Sequence, residues 1–405
     1  MGSLESLRNS NRTRVIDALR RRGSASRSDL ARLTGLSRTT VTSLVADLHL
    51  RGLIVEEPGE SRRSLAGSRG RRPSTLRLAP SAGAAIGVDF GHRKVRVAVA
   101  DLASTVLAER VAELDVDAAA CVAIETAAEL IDAVLAEAEI DVSQVVGAGV
   151  GIPGPIDHST GTVASATILP GWGGVSVRRD LNARLGFPVQ VDNDANLGAL
   201  GEVRYGAGRG LSDVVYIRLT SGIGSGLVLG GRLHHGANGF AGELGHVQVH
   251  PEGVVCRCGN RGCLETVAAG DALLALLRPA HGGALTTEAM LELVAAGDLG
   301  ARRVFNDAGR ALGRVLADLC NHLNPAAIIV GGDLSIALGP LLDGIRESVH
   351  RYSQPAVAEA VSVEAGILGD RAEVLGALAL VIGDTDRLNS ADIAALTDPV
   401  SERTA

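Results

Sequence analysis

Apolar positions along the chain follow two regimes that change near residue 80. Before it, "SDLARLTGLSRTTVTSLVADLHLRGLIVEE" carries two short helical patterns separated by Gly35-Leu36-Ser37. In the second, Val41, Leu44, Val45 and Leu48 recur at i, i+3, i+4 and i+7, which turns one apolar stripe inward. Ser28 is expected to cap the first helix and Ser37 the second. "RGLIVEE" then predicts a turn and a strand, completing the pattern of a winged helix-turn-helix.

Past residue 80 the texture becomes glycine-punctuated strands and alanine-rich helices. "AAIGVDFGHRKVRVAVADL" predicts a hairpin, 118 to 138 a helix, "VVGAGVGIPGPID" a strand running into a Gly/Pro loop, and "FPVQVDND" another strand. "DVVYIRLTSGIGSGLVLGGRL" predicts a second glycine-rich hairpin; helices around 264 to 278 and 301 to 322 follow, then "AAIIVGGD" as a buried strand. Strands alternating with helices indicate α/β architecture with ligand sites at strand ends, and two distant glycine-rich hairpins indicate two lobes facing a cleft. The expected division is a winged head with basic wing over 1–80, a first lobe over 81–190 completed by 371–384, a second over 191–370, and a flexible tail over 385–405.

Charge separates the same two parts. Residues 1–79 hold 16 arginines against 7 acids (+9), whereas the remainder holds 23 basic and 39 acidic residues (−16). A small basic head on an acidic body suits a double-stranded DNA reader joined to a different kind of domain. Arg38, Thr39, Thr40, Thr42 and Ser43 fall on or near the outer face of the second helix, where short hydroxyls and an arginine can reach base edges and phosphates. Arg62, Arg63, Arg69, Arg71 and Arg72 lie on a Gly/Ser-rich arm suited to phosphates or a minor groove; a solvated linker is the alternative. Only 8 of 405 residues are aromatic, so the core must be aliphatic, and the scarcity argues against single-stranded nucleic-acid binding through stacking platforms. No apolar run approaches the ~18 residues of a membrane span and no secretory h-region opens the chain, so a cytoplasmic protein is expected.

Three of five cysteines, Cys256, Cys258 and Cys263, crowd into eight positions. With an imidazole from His246, or from its rival His250, they make a closed tetrahedral set that suits structural Zn²⁺.

This cysteine pattern, together with "VDNDAN", "GIPGPID", "LPGW" and "AGELGH", resembles the ROK family of sugar kinases and sugar-responsive repressors, over roughly residues 81 to 383. The family's regulators carry a winged helix-turn-helix ahead of a two-lobed, actin-like (ribonuclease H-like) kinase fold. The resemblance implies sugar contacts from Asn193, Asp194, Glu243, His246 and Glu265, with Asp194 the catalytic base if phosphoryl transfer remains. It also implies a nucleotide side formed by Asp89, Gly91, Thr220, Gly222, Gly224, Gly331 and Gly332. Here the sequence departs from the family: in "DFGHRK", His92 and Arg93 stand where a second glycine and a threonine would cradle phosphates, and Asp333 replaces a glycine. A side chain at the loop where backbone must approach phosphate damages that cradle, so ATP and Mg²⁺ are not expected as cofactors. The resulting expectation is a transcriptional regulator that binds an operator as a homodimer or homotetramer and senses a sugar or sugar phosphate. An ATP-dependent sugar kinase that keeps a DNA-binding head is the alternative; a regulator answering only to a protein partner is disfavoured by the complete sugar set. Trp172, in "LPGWGG", is expected near the sugar loop.

Overall fold

A computed structural model describes residues 2–50, 52–58, 74–79, 82–157, 160–164, 167–334 and 338–383. The head opens on α1 (Gly2–Arg22), continues through α2 (Arg27–Thr34) and α3 (Arg38–Leu50), and closes on the antiparallel pair β1 (Ile54–Pro58) and β2 (Ser74–Leu78). Helix α1 escapes the sequence reading because its segment is mostly polar. What holds it is tertiary: Val15, Ile16 and Leu19 enter the core with Leu30, Val41, Leu48, Ile54 and Leu76, and Arg12 bridges to Asp47 of α3 at 2.6 Å. Ser26, not Ser28, caps α2. It forms a capping box with Asp29, accepting from the Asp29 amide while the Asp29 carboxylate accepts from the Ser26 amide, and this register starts the helix at Arg27. The predicted stripe of α3 (Val41, Leu44, Val45, Leu48) is buried, and Ser37 Oγ accepts from the Thr40 amide at 3.1 Å.

The body is built on two five-stranded sheets. In the first, β3 (Ala84–Phe90), β4 (Lys94–Asp101) and β5 (Val106–Glu113) form an antiparallel meander; α4 (Ala120–Glu137) crosses one face and β6 (Val145–Ile152) runs parallel to β3. A small hairpin of β7 (Ile156–Asp157) and β8 (Thr162–Val163) follows, then α5 (Val177–Leu185), the last strand β9 (Val189–Asn193), and α6 (Asp194–Tyr205). The second sheet repeats the plan: β10 (Val214–Leu219), β11 (Ile223–Leu229) and β12 (Arg232–Leu233) form the meander. Helices α7 (Glu265–Ala268), α8 (Gly270–His281), α9 (Thr287–Ala295) and α10 (Leu299–Leu323) lead to the parallel β13 (Ala327–Gly331). Then α11 (Leu338–Tyr352) and α12 (Pro355–Ala360) lead to β14 (Ser362–Ala365), and α13 (Ala372–Gly383) returns to the first sheet. Strand orders are β5-β4-β3-β6-β9 and β12-β11-β10-β13-β14.

Helices α6 and α13 lie between the sheets. Val374, Leu378, Val381 and Ile382 of α13 pack on Ala85, Ala98 and Ala100, while Ala199 of α6 joins Val214, Tyr216 and Val228. The two helices touch backbone to backbone: a Cβ on Gly201 would come within 2.2 Å of the Ala372 carbonyl, so no larger residue fits without parting them. The first turn of each helix, with Asp194 on one and Glu373 on the other, meets Arg218 of β10.

Candidate functional site

A cleft opens where the strands of both sheets end. Of the residues implied as sugar contacts, Asn193, Asp194, Glu243, His246 and Glu265 all line it. Asn193 caps α6, its carbonyl oxygen accepting from the amides of Ala195 (2.9 Å) and Asn196 (3.2 Å), and its side-chain amide donates to Gly154 O at 2.9 Å. Because Asn193 takes the cap, Asp194 is left to face Arg218, whose Nη1 lies 3.0 Å from Asp194 Oδ2. Burial pushes the Glu243 carboxyl up, His246 pulling the other way. Glu265 accepts from Arg257 Nε at 2.9 Å and from the Ile223 amide at 3.2 Å. Such carboxylates, a ring nitrogen and amide groups around one cavity are suited to a hydroxyl-rich molecule.

Behind this wall, His246, Cys256, Cys258 and Cys263 place their ligand atoms within 4.8 Å of one another, a cluster that can hold a metal ion. Cys258 Sγ is 3.8 Å from Cys263 Sγ, and Cys256 Sγ is 3.6 Å from His246 Nδ1. A tetrahedron with metal–sulfur bonds of ~2.3 Å has edges of roughly 3.8 Å, so the spacing fits. His246, not His250, supplies the imidazole. Its other nitrogen, Nε2, lies 3.8 Å from Glu243 Oε2 at the cleft. Burial and the neighbouring thiols push Cys263 up to about 12, so a bound cation would have to displace its proton.

The residues assigned to a nucleotide side are arranged differently. Asp89 is buried at the end of β3, and the following turn closes with the Gly91 amide donating to Lys94 O at 2.9 Å. His92 projects into the cleft, with Nδ1 2.8 Å and 2.9 Å from the two Asp117 oxygens, whereas Arg93 is exposed and Lys94 turns to Asp370 at 3.3 Å. Thr220, Gly222 and Gly224 line the opposite wall. The approach to Gly222 is filled, since a Cβ there would lie 2.5 Å from Arg257 Nη2 and 2.8 Å from Glu265 Oε2. Gly224 is required by the contact of β11 with α6, where its Cβ would meet that of Ala195 at 2.9 Å. Gly331 packs on the Tyr216 ring, and Gly332 adopts a φ of +98°.

Sequence reasoning missed Arg218, Glu373, Arg257 and the His92–Asp117 pair. Two carried a visible signal: an arginine inside the apolar run "VVYIRL" and a glutamate opening the apolar helix "AEVLGALALVIG" are charges where periodicity predicts burial. Trp172 does not line the cleft. It is fully buried in the first lobe, its indole N–H donating to Val116 O at 2.8 Å and its ring edge-on to Phe90. Neighbouring Ile168 reaches the cleft instead.

In the head, Arg38, Thr39, Thr42 and Ser43 are exposed along α3, while Thr40 is half-buried with its hydroxyl 2.8 Å from Ser37 Oγ. Arg62, Arg63, Arg69, Arg71 and Arg72 of the arm lie outside the described residues, as does the tail over 385–405.

A winged helix joined to a duplicated α/β body with a polar interlobe cleft and a Cys₃His cluster defines a regulator-type architecture on a sugar-kinase fold. The chain belongs to the ROK family, whose model matches residues 85–384, and residues 9–64 match the MarR family. It is 30% identical to the xylose repressor of Caldicellulosiruptor bescii over 95% of this chain and 98% of that protein. It is 34% identical to a glucokinase of Halalkalibacterium halodurans over 72% of this chain and 92% of that one. A ROK family transcriptional regulator described as a homolog of the E. coli MLC protein superposes with a TM-score of 0.80 at 25% identity, covering 96% of this chain and 99% of its own.

Proposed function

We propose that this protein is a sugar-responsive, DNA-binding transcriptional regulator, a repressor, acting in the cytoplasm as a homodimer or homotetramer. One observation carries the reading: a single chain joins an exposed Arg38-Thr39-Thr42-Ser43 helix face to a cleft in which Asn193, Asp194, Glu243, His246 and Glu265 converge. The xylose repressor of C. bescii aligns over 95% of this chain, whereas the glucokinase match covers 72% of it. Helix α3 would read a major groove, with two heads of an oligomer on a two-fold operator. Zn²⁺ would sit on His246, Cys256, Cys258 and Cys263, fixing the His246 ring so that Nε2 faces the effector. The effector, a sugar or sugar phosphate, must favour one lobe arrangement over another; a ligand indifferent to the two would not change operator affinity.

The test is operator binding by fluorescence anisotropy, titrated against a panel of sugars and sugar phosphates. Arg38→Ala should weaken operator binding by about 1–3 kcal/mol while leaving the thermal shift caused by the effector intact. Glu243→Gln should do the reverse, reducing effector response about tenfold or more with operator affinity retained. Equal loss of both functions in either variant would count against the division of labour. The second reading, an ATP-dependent sugar kinase with a DNA-binding head, is supported by the glucokinase relatives and by Asp194 in the cleft. Sugar-dependent ADP release by purified protein at ordinary enzymatic rates would establish it.

A further inference from the structure

The turn after β3 presents a histidine to the cleft, and three separate segments fix where its ring sits. The turn's backbone is pinned on both sides: the Gly91 amide donates to Lys94 O at 2.9 Å, the Val116 amide to His92 O at 3.1 Å and the Leu114 amide to Arg93 O at 3.0 Å. Asp117, the partner of the ring, is held in turn by the segment at 169–172. The Gly171 amide donates to Asp117 O at 3.2 Å, a Cβ on Gly171 would come within 2.5 Å of that oxygen, and the Trp172 indole N–H donates to Val116 O at 2.8 Å. The sole tryptophan thus acts on the cleft indirectly, by stiffening the backbone that carries Asp117.

Within this frame the imidazole has one engaged nitrogen and one open one. Nδ1 lies 2.8 and 2.9 Å from the two Asp117 oxygens, whereas Nε2 has no protein partner among the described residues. His92 lines the cleft together with Asn193, Asp194, Glu243 and His246, and Asp117 is not among the lining residues, so the ring edge turned to the cleft is the one away from Nδ1, which carries Nε2. A carboxylate on Nδ1 keeps the ring proton there and leaves Nε2 of the neutral ring an acceptor for a hydroxyl. The surrounding charge suits an uncharged group. Both arginines that line the cleft are engaged by the protein's own carboxylates, Arg218 with Asp194 and Glu373 and Arg257 with Glu265, and Arg93, the residue after His92, is not among those lining it. We propose that His92 is a specificity-determining contact of the sensor, its Nε2 accepting a hydroxyl of an unphosphorylated sugar, with Asp117 as the positioning residue. The inference deepens the sensor reading above and rests on it for the ligand. It gives the first lobe its own hold on a molecule that Glu243, His246 and Glu265 face from the second, the kind of contact by which a ligand favours one lobe arrangement.

D-xylose, D-glucose, maltose and glucose 6-phosphate serve as probes, titrated onto the full-length chain by isothermal calorimetry, with the melting temperature of each variant recorded. Two substitutions separate ligand contact from structural support, because an asparagine amide can reach Asp117 as Nδ1 does, while a glutamine amide reaches the position of Nε2. His92→Asn should weaken the tightest-binding neutral sugar by about tenfold, whereas His92→Gln should hold its affinity to within about threefold. A histidine that served only to bond Asp117 would give the reverse order. In long-range proton–nitrogen NMR spectra His92 should carry its proton on Nδ1, with the Nε2 resonance moving on sugar addition, and Asp117→Asn should transfer part of that proton population to Nε2. Unaltered affinity in His92→Asn, equal losses in the two variants, an Nε2 resonance indifferent to bound sugar, or His92-dependent binding of glucose 6-phosphate tighter than that of glucose would each overturn the proposal. Absence of binding by every neutral probe would overturn the sensor reading together with it, whereas sugar binding that ignores His92→Asn would overturn this assignment alone.

Discussion

The two sheets of the body share one strand order, yet their leading strands end in different ionisable groups, a buried carboxyl on the first and a guanidinium on the second. Asp89 stands one residue from the end of β3 and Arg218 one residue from the end of β10. The turns that follow also diverge. After β3, His92 is tied to Asp117 and fills space; after β10, the Thr220–Gly222 turn stays bare but is roofed by Arg257. Equivalent backbone positions thus set where groups point, while side-chain chemistry sets what they hold. Between the two strand ends the protein supplies its own ion pairs, Arg218 bridging Asp194 and Glu373. The lobes differ equally in what stiffens them. The first encloses Trp172 against Phe90, whereas the second backs its side of the cleft with the Cys₃His cluster.

Breaking that last difference should have the largest effect. Cys258→Ser removes one of four ligands, and we expect loss of bound metal and a destabilisation of several kcal/mol confined to the second lobe, checked by metal content and calorimetry. Full metal content in the variant would remove the site from the comparison. A second, smaller effect separates Asp89 from its counterpart. With its pKa raised from 3.8 to about 8, Asp89 keeps a proton in the native state that the unfolded chain has lost. Its contribution is therefore fully present below the unfolded value and declines as pH rises through the folded one, over roughly pH 4 to 8. Asp89→Asn should flatten that decline, measured as denaturation midpoints at about pH 5 and about pH 8; an unchanged pH slope would contradict the account of Asp89. The smallest effect belongs to the first turn. His92→Ala gives up a partly exposed bond to Asp117, costing about 1 kcal/mol in chemical denaturation, and leaves the Cys₃His cluster undisturbed.

Much of this was legible from periodicity and spacing. The stripe of α3, both glycine-rich hairpins, the buried strand at 327–331 and the cysteine crowding are local patterns, the longest reach among them being the Ala84–Asp101 pair of the first hairpin. What the sequence alone determined, then, was the class of the strongly periodic elements, the α/β body with its winged head, and the residue types gathered at 243–265. Only the tertiary structure decided how the charges pair. Arg218 meets Glu373 across 155 positions of chain and Lys94 meets Asp370 across 276, and α1 gains its helix from a core it could not specify. Periodicity reports which face of an element is buried; it carries no term for which distant charge will share that burial, because that partner is chosen by the packing of two sheets and the helices between them.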